Sequence, residues 1–172
     1  MITVITPTYK RHRYLKNAIE SVLAQTYTDF EYIIVDDNPA DSQERRLTEI
    51  VARSFSDPRI NYIQNEKNLG GAGSRNVAIE LAKGEYIAFL DDDDVYLPDR
   101  LKVQVEAMQK KGWDVCVMDG ATFKYETGEP VSERHQHLWD GMTNDELIRS
   151  HLMYHILSLL LLNLLQSLCY IL

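Results

Sequence analysis

The sequence contains few cysteines and few basic residues relative to acidic ones. Its 172 residues include two cysteines, Cys116 and Cys169, which lack the short spacing of a metal site. Such cysteine usage is typical of a reducing compartment and not of a disulfide framework. The formal net charge of -8 argues against nucleic-acid binding, which normally needs a basic stripe. An anionic substrate would therefore have to be held by a cation, helix N-termini or a few arginines.

A secretion signal is also lacking, because residues 1–5 contain no basic region and no cleavage site. These residues instead predict a first strand, and we expect a cytoplasmic protein. The hydrophobic content of 45% is that of a globular chain, and the length predicts about one domain. We place this domain at residues 1–150.

Apolar patterns predict an alternation of strands and helices. The predicted strands are Ile2–Ile5, Phe30–Val35, Ile60–Ile63, Tyr86–Leu90 and Val115–Met118. The predicted helix faces are Leu15, Ala18, Ile19, Val22 and Leu23; Leu47, Ile50, Val51 and Phe55; Ala78 to Leu81; and Leu101, Val105 and Met108. The predicted helix ends are an Asp41–Glu44 capping box, Pro98 at a first helical position, and Gly84 and Gly112 as C-terminal caps. This alternation predicts a three-layer α/β/α domain with a mostly parallel sheet.

Polar residues follow four of the predicted strands. They are Thr6-Pro7-Thr8, Asp36-Asp37, the segment from Asn65 to Arg75, and the run from Asp91 to Asp94. Ligands of parallel sheets bind outside the carboxyl ends of the strands. We therefore expect these four segments to form one site.

The four consecutive aspartates, Asp91 to Asp94, repel one another unless something neutralises them. Mg²⁺ and Mn²⁺ prefer oxygen ligands and bind through one or two carboxylates plus substrate phosphates. Such a cation could stabilise charge on a departing diphosphate. The alternative is a solvated acidic loop, in which Asp94 caps the following helix.

Other polar segments each have two interpretations. The Asp36-Asp37 pair could accept a hydrogen bond from a base or a ribose, or form a turn before Pro39. The stretch Asn68–Ser74 predicts a glycine-rich turn leading into a helix, although its amides could also meet phosphate. Arg75 could bind phosphate, brace the aspartates or lie at the surface. The basic stretch Tyr9–Arg13 predicts the exposed start of a helix more than a phosphate site.

The C-terminal segment 151–172 differs from the rest of the chain. It holds 10 leucines, as many as residues 1–150, and residues 152–172 contain no charge. That length could span a bilayer, although five polar residues interrupt it. We interpret the segment as a separate apolar tail, through which the protein could associate with a membrane, and as a premature or frameshifted ending.

In combination these motifs resemble family 2 inverting glycosyltransferases of the GT-A type. The resemblance covers about residues 2–118 and rests on four stretches in the same order and spacing. These are Val4-Ile5-Thr6-Pro7-Thr8-Tyr9, Ile33-Ile34-Val35-Asp36-Asp37, Asn68-Leu69-Gly70 with Gly73-Ser74-Arg75-Asn76, and Ala88-Phe89-Leu90-Asp91-Asp92-Asp93-Asp94 with Pro98.

The resemblance implies a role for each of these segments. The loop Thr6-Pro7-Thr8-Tyr9 would border the nucleotide, and Asp37 or Asp36 would bind the base edge. Arg75 would lie near the donor diphosphate. Asp91 and Asp92 would contact ribose or sugar, and Asp93, with Asp91, would hold Mn²⁺ or Mg²⁺. The donor would be a nucleoside-diphosphate sugar, most plausibly a UDP-sugar.

The resemblance also implies an acceptor-binding half with a general base that deprotonates a saccharide or lipid-linked hydroxyl. No convincing base follows Asp119, since Asp140, Asp145 and Glu146 look like loop and cap residues. His135 and His137 could ligate metal, but histidines at this spacing in an irregular segment are more commonly solvated. Two alternatives remain: a non-catalytic binding module, and a nucleotidyltransferase, which would usually carry a glycine- and arginine-rich N-terminal loop.

Overall fold

The computed structural model describes residues 1–116, 121–124, 127, 130–133 and 169–171. Strands and helices alternate through most of this part of the chain. In sequence order they are β1 (Ile2–Thr8), α1 (His12–Leu23), β2 (Phe30–Asp36), α2 (Gln43–Arg53), β3 (Ile60–Gln64), α3 (Gly70–Leu81), β4 (Tyr86–Phe89), α4 (Arg100–Lys111), β5 (Val115–Cys116), β6 (Ala121–Phe123), β7 (Pro130–Glu133) and β8 (Cys169–Ile171).

The central sheet has the strand order β3-β2-β1-β4-β8-β5, and every pair in it is parallel. The predicted parallel sheet is therefore confirmed. Strand β8, in the apolar segment 151–172, was not predicted, and it lies between β4 and β5. Strands β6 and β7 form a separate antiparallel pair.

Alternate residues of the strands face opposite sides of the sheet, as the two-residue period of a strand requires. Ile2 and Val4 of β1 belong to a core on one face. Helices α1 and α4 cover this face with Leu15, Ala18, Ile19, Val22, Leu101, Val105 and Met108. Ile5 and Ile33 belong to the core on the other face, which Ala78 of α3 covers. The result is the predicted three-layer α/β/α arrangement.

The predicted buried face of α2 is partly wrong. Ile50 is 66% exposed, whereas Arg45, Thr48 and Ala52 are buried. The helix is turned this way because Arg45 donates hydrogen bonds to the carbonyls of Asn38 and Asn65. The predicted capping box at Asp41 is also wrong, since Ser42 accepts the hydrogen bond from the Arg45 amide.

Three other predicted helix ends differ in the structure. Helix α3 begins at Gly70 (φ +72°), within the predicted turn, and it ends before Gly84. Gly84 is instead needed for close approach, because a Cβ there would lie 2.4 Å from the Thr3 amide nitrogen. Helix α4 begins two residues after Pro98, whose carbonyl accepts a hydrogen bond from the Thr26 amide. Gly112 does end α4 in the left-handed conformation, as predicted.

Part of the predicted organisation lies outside the described residues. This applies to the last two residues of the predicted fifth strand and to most of the segment 151–172. Within the described residues, no helix is long and apolar enough to cross a membrane. The division into a domain at 1–150 and a tail at 151–172 stays a proposal.

Candidate functional site

A cleft of about 260 Å³ lies at the carboxyl edge of the sheet. The register of the sheet brings its walls together, since Thr8 pairs with Asp36 and Ile5 with Phe89 at the ends of neighbouring strands. The lining residues are Pro7, Thr8, Tyr9, Arg11, Asp37, Gly71, Ser74, Asp91 and Asp92. The four predicted segments therefore contribute to one cleft, as the topology of a parallel sheet led us to expect.

Asp37 connects the end of β2 to the beginning of α3. Its buried carboxylate accepts hydrogen bonds of 2.8 Å from the Leu69 and Gly70 amides and from the Asn65 side chain. The first amides of a helix have no partner within the helix and favour a negative charge. Asp37 thus caps α3, and it also lines the cleft.

Asp36 does not line the cleft. Its fully buried carboxylate accepts hydrogen bonds from the amide and the side chain of Asn38, both 2.8 Å, and from the Tyr62 hydroxyl, 2.5 Å. Burial, and then the hydrogen bond to Asp36, raise the pKa of Tyr62. Asp36 and Asp37 are adjacent in sequence, but only Asp37 is placed where a ligand could reach it.

The segment predicted to follow the first strand divides in the same way, although β1 continues to Thr8 and does not end at Ile5 as predicted. The Thr6 hydroxyl is buried and accepts a 2.9 Å hydrogen bond from the Tyr32 hydroxyl, so it belongs to the core. Pro7, Thr8 and Tyr9 line the cleft. Tyr9 is exposed, and the Lys10 ammonium lies 4.9 Å from the centre of its ring. Tyr9 is therefore accessible beside the cleft, with its ring in contact with Lys10.

Two arginines contact the aspartates after β4. Arg75 donates a hydrogen bond to Asp91. Arg11 donates one to Asp93, 2.7 Å, and a longer one to Asp92, 3.5 Å. These contacts place positive charge on both sides of the acidic run. Nearby carboxylates, Asp93 first, raise the pKa of Arg11.

Asp94 does not cap α4, which is a further correction. It lies six residues before the helix begins, and its amide donates a hydrogen bond to the Asp91 carbonyl. Burial and the neighbouring carboxylates raise its pKa.

Asp92 is only 4% exposed and Thr8 only 2%. Within the part of the chain that the structure describes, Asp92 Oδ2 and Thr8 Oγ1 are buried and have no hydrogen-bond partner. Burial raises the pKa of Asp92, and the nearby Thr8 hydroxyl and Arg11 oppose this rise. The Thr8 hydroxyl lies close to the Asp92 carboxylate, and a ligand or a water in the cleft could satisfy both groups, whose burial without a partner would otherwise destabilise the fold.

Among the described residues, no three His, Cys, Asp or Glu side chains are grouped closely enough to hold a metal by themselves. The exposed carboxylates Asp91 and Asp93 nevertheless suit Mg²⁺ or Mn²⁺, which usually take one or two protein carboxylates and complete their shell with water and substrate phosphates. The residues present therefore fit a cation that binds together with a phosphate.

Sequence reasoning missed Arg11 as a functional residue, since it assigned the basic stretch to the exposed start of a helix. Arg11 does occupy the N-cap position of α1, but its guanidinium reaches across the cleft to residues more than 80 positions away. The only available signal was its closeness in sequence to Tyr9. His135, His137, Asp140, Asp145 and Glu146 lie outside the described residues.

Comparison with known proteins identifies the class to which this cleft belongs. The model of the family described as glycosyl transferase family 2 matches residues 3–161, and the chain belongs to that family. Family membership argues against the nucleotidyltransferase alternative.

Several relatives share the matched region. A glycosyltransferase of Methanocaldococcus jannaschii is 44% identical over 111 residues, which is 63% of this chain and 37% of the relative. The Escherichia coli protein named UDP-Glc:alpha-D-GlcNAc-diphosphoundecaprenol beta-1,3-glucosyltransferase WfgD is 37% identical over 64% of this chain and 42% of its own length. The chain thus spans about two fifths of the length of these relatives.

A solved structure also matches this chain. Residues 1–349 of TarS from S. aureus, in complex with UDP-GlcNAc, superpose with a TM-score of 0.63 and 27% identity. The match covers 77% of this chain and 37% of that one. The fold is therefore the GT-A fold that the motifs predicted.

Proposed function

We propose that this chain binds a UDP-sugar together with Mn²⁺ or Mg²⁺ in the cleft, as the donor site of a glycosyltransferase. The observation that carries the proposal is the convergence of the four predicted segments on one cleft, whose lining residues include Thr8 and Asp92, each with a side-chain oxygen that has no hydrogen-bond partner among the described residues. Both can bond to a hydroxyl-rich ligand, the carboxylate as an acceptor and the hydroxyl as a donor or an acceptor. A ribose or a sugar supplies hydroxyl groups of that kind.

The nucleoside lies against the first two loops in this proposal. Tyr9 offers a ring on which a base can stack, and Asp37 has an oxygen, Oδ2, to which the described residues donate one hydrogen bond, from Gly70. A carboxylate oxygen can accept a second, from the N–H of a uracil-like base edge. Asp37 therefore takes the base-binding role in preference to Asp36, whose carboxylate is buried away from the cleft. The name of WfgD includes UDP-Glc and the TarS structure is a complex with UDP-GlcNAc, and both support a uridine donor.

The diphosphate lies near Arg75 and the aspartates. Asp93 and Asp91 would hold the cation, which would neutralise the charge that develops on the departing diphosphate. Asp92 contacts ribose or sugar. Arg75 is placed to bind a phosphate oxygen because its guanidinium already lies beside Asp91, and a guanidinium matches phosphate geometry.

Transfer to an acceptor hydroxyl with inversion is the second part of the proposal. Among the described residues, the carboxylates lining the cleft are Asp37, Asp91 and Asp92, and each has a role toward the donor. The general base is therefore unassigned. The name of WfgD includes a diphosphoundecaprenol-linked saccharide, which supports a lipid-linked acceptor. A site of action at the inner face of the membrane is part of the proposal. A binding module without turnover is the alternative, and release of UDP in the presence of such an acceptor would exclude it.

Donor class can be tested by the change in unfolding temperature when ligand is added to the purified chain. UDP-glucose and UDP-GlcNAc with Mn²⁺ should raise that temperature, and GDP-mannose or either UDP-sugar with EDTA should raise it far less. Arg75→Gln should lose most of the shift. The matched control is Arg53→Gln, which removes the same charge and an ion pair with Glu49 on α2. Equal shifts with UDP- and GDP-sugars would overturn the assignment of the base.

A further inference from the structure

The backbone before Arg11 is held in an unusual conformation. Lys10 has a φ of +57°, and it is the one non-glycine residue with positive φ in the part of the chain that the structure describes. Such a conformation is strained for a residue that has a Cβ, and it persists where neighbouring groups hold it. Here the Lys10 amide donates a 2.8 Å hydrogen bond to Asn38 Oδ1, and the Asn38 side chain donates in turn to Asp36. The loop that carries Arg11 is therefore fixed to the end of β2.

This loop directs the Arg11 guanidinium onto the aspartates. Nη1 lies 2.7 Å from Asp93 Oδ2 and 3.5 Å from Asp92 Oδ1. The Arg11 side chain is 52% exposed and lines the cleft. The Arg11 side chain does not cap α1, because the residue at the N-cap position makes no side-chain hydrogen bond to the helix. Its described contacts are thus with the carboxylates.

We propose that Arg11 is an internal counter-ion that competes with the divalent cation for Asp93, and that it transfers to the donor diphosphate when the nucleotide binds. The proposal rests on the function proposed above. A guanidinium and a metal ion use the same carboxylate lone pairs, so only one can bind a given oxygen well. A diphosphate offers Arg11 a partner of higher charge and suitable geometry.

The exposure of the pair makes this exchange feasible. Exposed ion pairs contribute little to stability, so that Arg11 can leave Asp93 without a large penalty. Asp93 then becomes available to the cation when the diphosphate binds. Cation and nucleotide would consequently bind with positive coupling, each improving the affinity of the other.

The distinguishing variant is Arg11→Gln, studied with the metal alone. Titration of Mn²⁺ into the chain without nucleotide should show affinity raised roughly two- to fivefold, the range expected when a weak competing pair is removed. Lys16→Gln is the matched control, since it removes one positive charge from the exposed side of the same helix. Its Mn²⁺ affinity should stay close to that of the parent. An Arg11→Gln affinity equal to that of Lys16→Gln would overturn the proposal.

The second arm measures UDP binding at saturating Mn²⁺. Arg11→Gln should bind UDP about tenfold more weakly than the parent, because a charge-assisted contact to phosphate is lost, and Lys16→Gln should not. Removal of a counter-ion should strengthen Mn²⁺ binding and weaken UDP binding. Removal of a residue that only maintains the loop should weaken the binding of both ligands. Unchanged UDP affinity in Arg11→Gln would overturn the transfer to the diphosphate. Failure of the parent itself to bind UDP would instead refute the proposed function.

Discussion

The Asp37 carboxylate accepts a hydrogen bond of 2.8 Å from the amide of Gly70, which lies 33 residues further along the chain. The same carboxylate accepts a bond from Leu69. The end of β2 and the beginning of α3 are therefore joined through one side chain. That side chain also lines the cleft, so stability and the proposed donor binding would depend on the same residue.

Replacing Asp37 should lower the free energy of unfolding as well as UDP affinity. Asp37→Ala removes a helix cap and a hydrogen bond to the buried Asn65 side chain, which should cost about 2 kcal/mol. Urea unfolding would measure the loss. Asp37→Asn, which keeps one acceptor oxygen, should lose less. Asp41→Ala, at an exposed position in the same loop, serves as the control, and an equal loss there would contradict the capping role.

Thr8→Val should keep or increase stability while it weakens donor binding. Valine has nearly the shape of threonine and removes a buried hydroxyl that has no partner among the described residues, so we expect a change between zero and about 1 kcal/mol in favour of folding. UDP affinity should fall.

Thr6→Val is the matched comparison, two residues earlier on β1. It would leave the buried Tyr32 hydroxyl unpaired, and it should destabilise the chain by about 1 kcal/mol. Thermal or urea unfolding of both variants measures the difference. If Thr8→Val destabilised as much as Thr6→Val, the Thr8 hydroxyl would already have a partner within the protein.

Stability should decrease in acid partly through Asp57. Hydrogen bonds from Arg59 lower the pKa of Asp57 to about 2, against about 3.9 for an unfolded aspartate. A pKa that is lower in the folded state than in the unfolded state stabilises the fold at pH values above the pKa of the unfolded group. This contribution is lost as pH falls from about 5 toward 2. Because the side chain is 23% exposed, screening reduces the contribution to about 1 kcal/mol.

Asp57→Asn tests this expectation through unfolding measured across that range. The variant should be less stable near neutral pH, and the difference from the parent should disappear at the acid end. Glu49→Gln, which breaks an exposed pair on α2, should change stability less. A difference between Asp57→Asn and the parent that is independent of pH would show that the lost ion pair is not the cause.

Local patterns were sufficient to predict the sheet and the cleft. The runs Phe30–Val35 and Tyr86–Leu90 are buried on both faces, so their apolar residues identify them as strands of a parallel sheet. Once those strands are known, the carboxyl-end rule brings Thr8, Asp37 and Asp91 together. The family match confirms the class, because its motifs are short segments at these strand ends.

Sequence patterns did not predict the features that depend on contacts between segments distant in sequence. The start of α3 looks like a glycine turn in sequence, and it becomes helical because Asp37 caps it from β2. The buried face of α2 follows Arg45, which bonds to two loops, and not the apolar spacing that includes Ile50. Arg11 reaches carboxylates about 80 residues away. None of these contacts has a local signature, since each joins segments that only the fold brings together.

Calorimetric titration of UDP, with and without Mn²⁺, tests the donor-site assignment most directly when it is applied to the parent and to Asp93→Ala. The parent should bind UDP much more tightly with Mn²⁺, and Asp93→Ala should lose about tenfold or more of that gain. Asp94→Ala, which removes the same charge one residue further from the cleft, should keep it. Equal and metal-independent binding of UDP by the parent and Asp93→Ala would contradict the account.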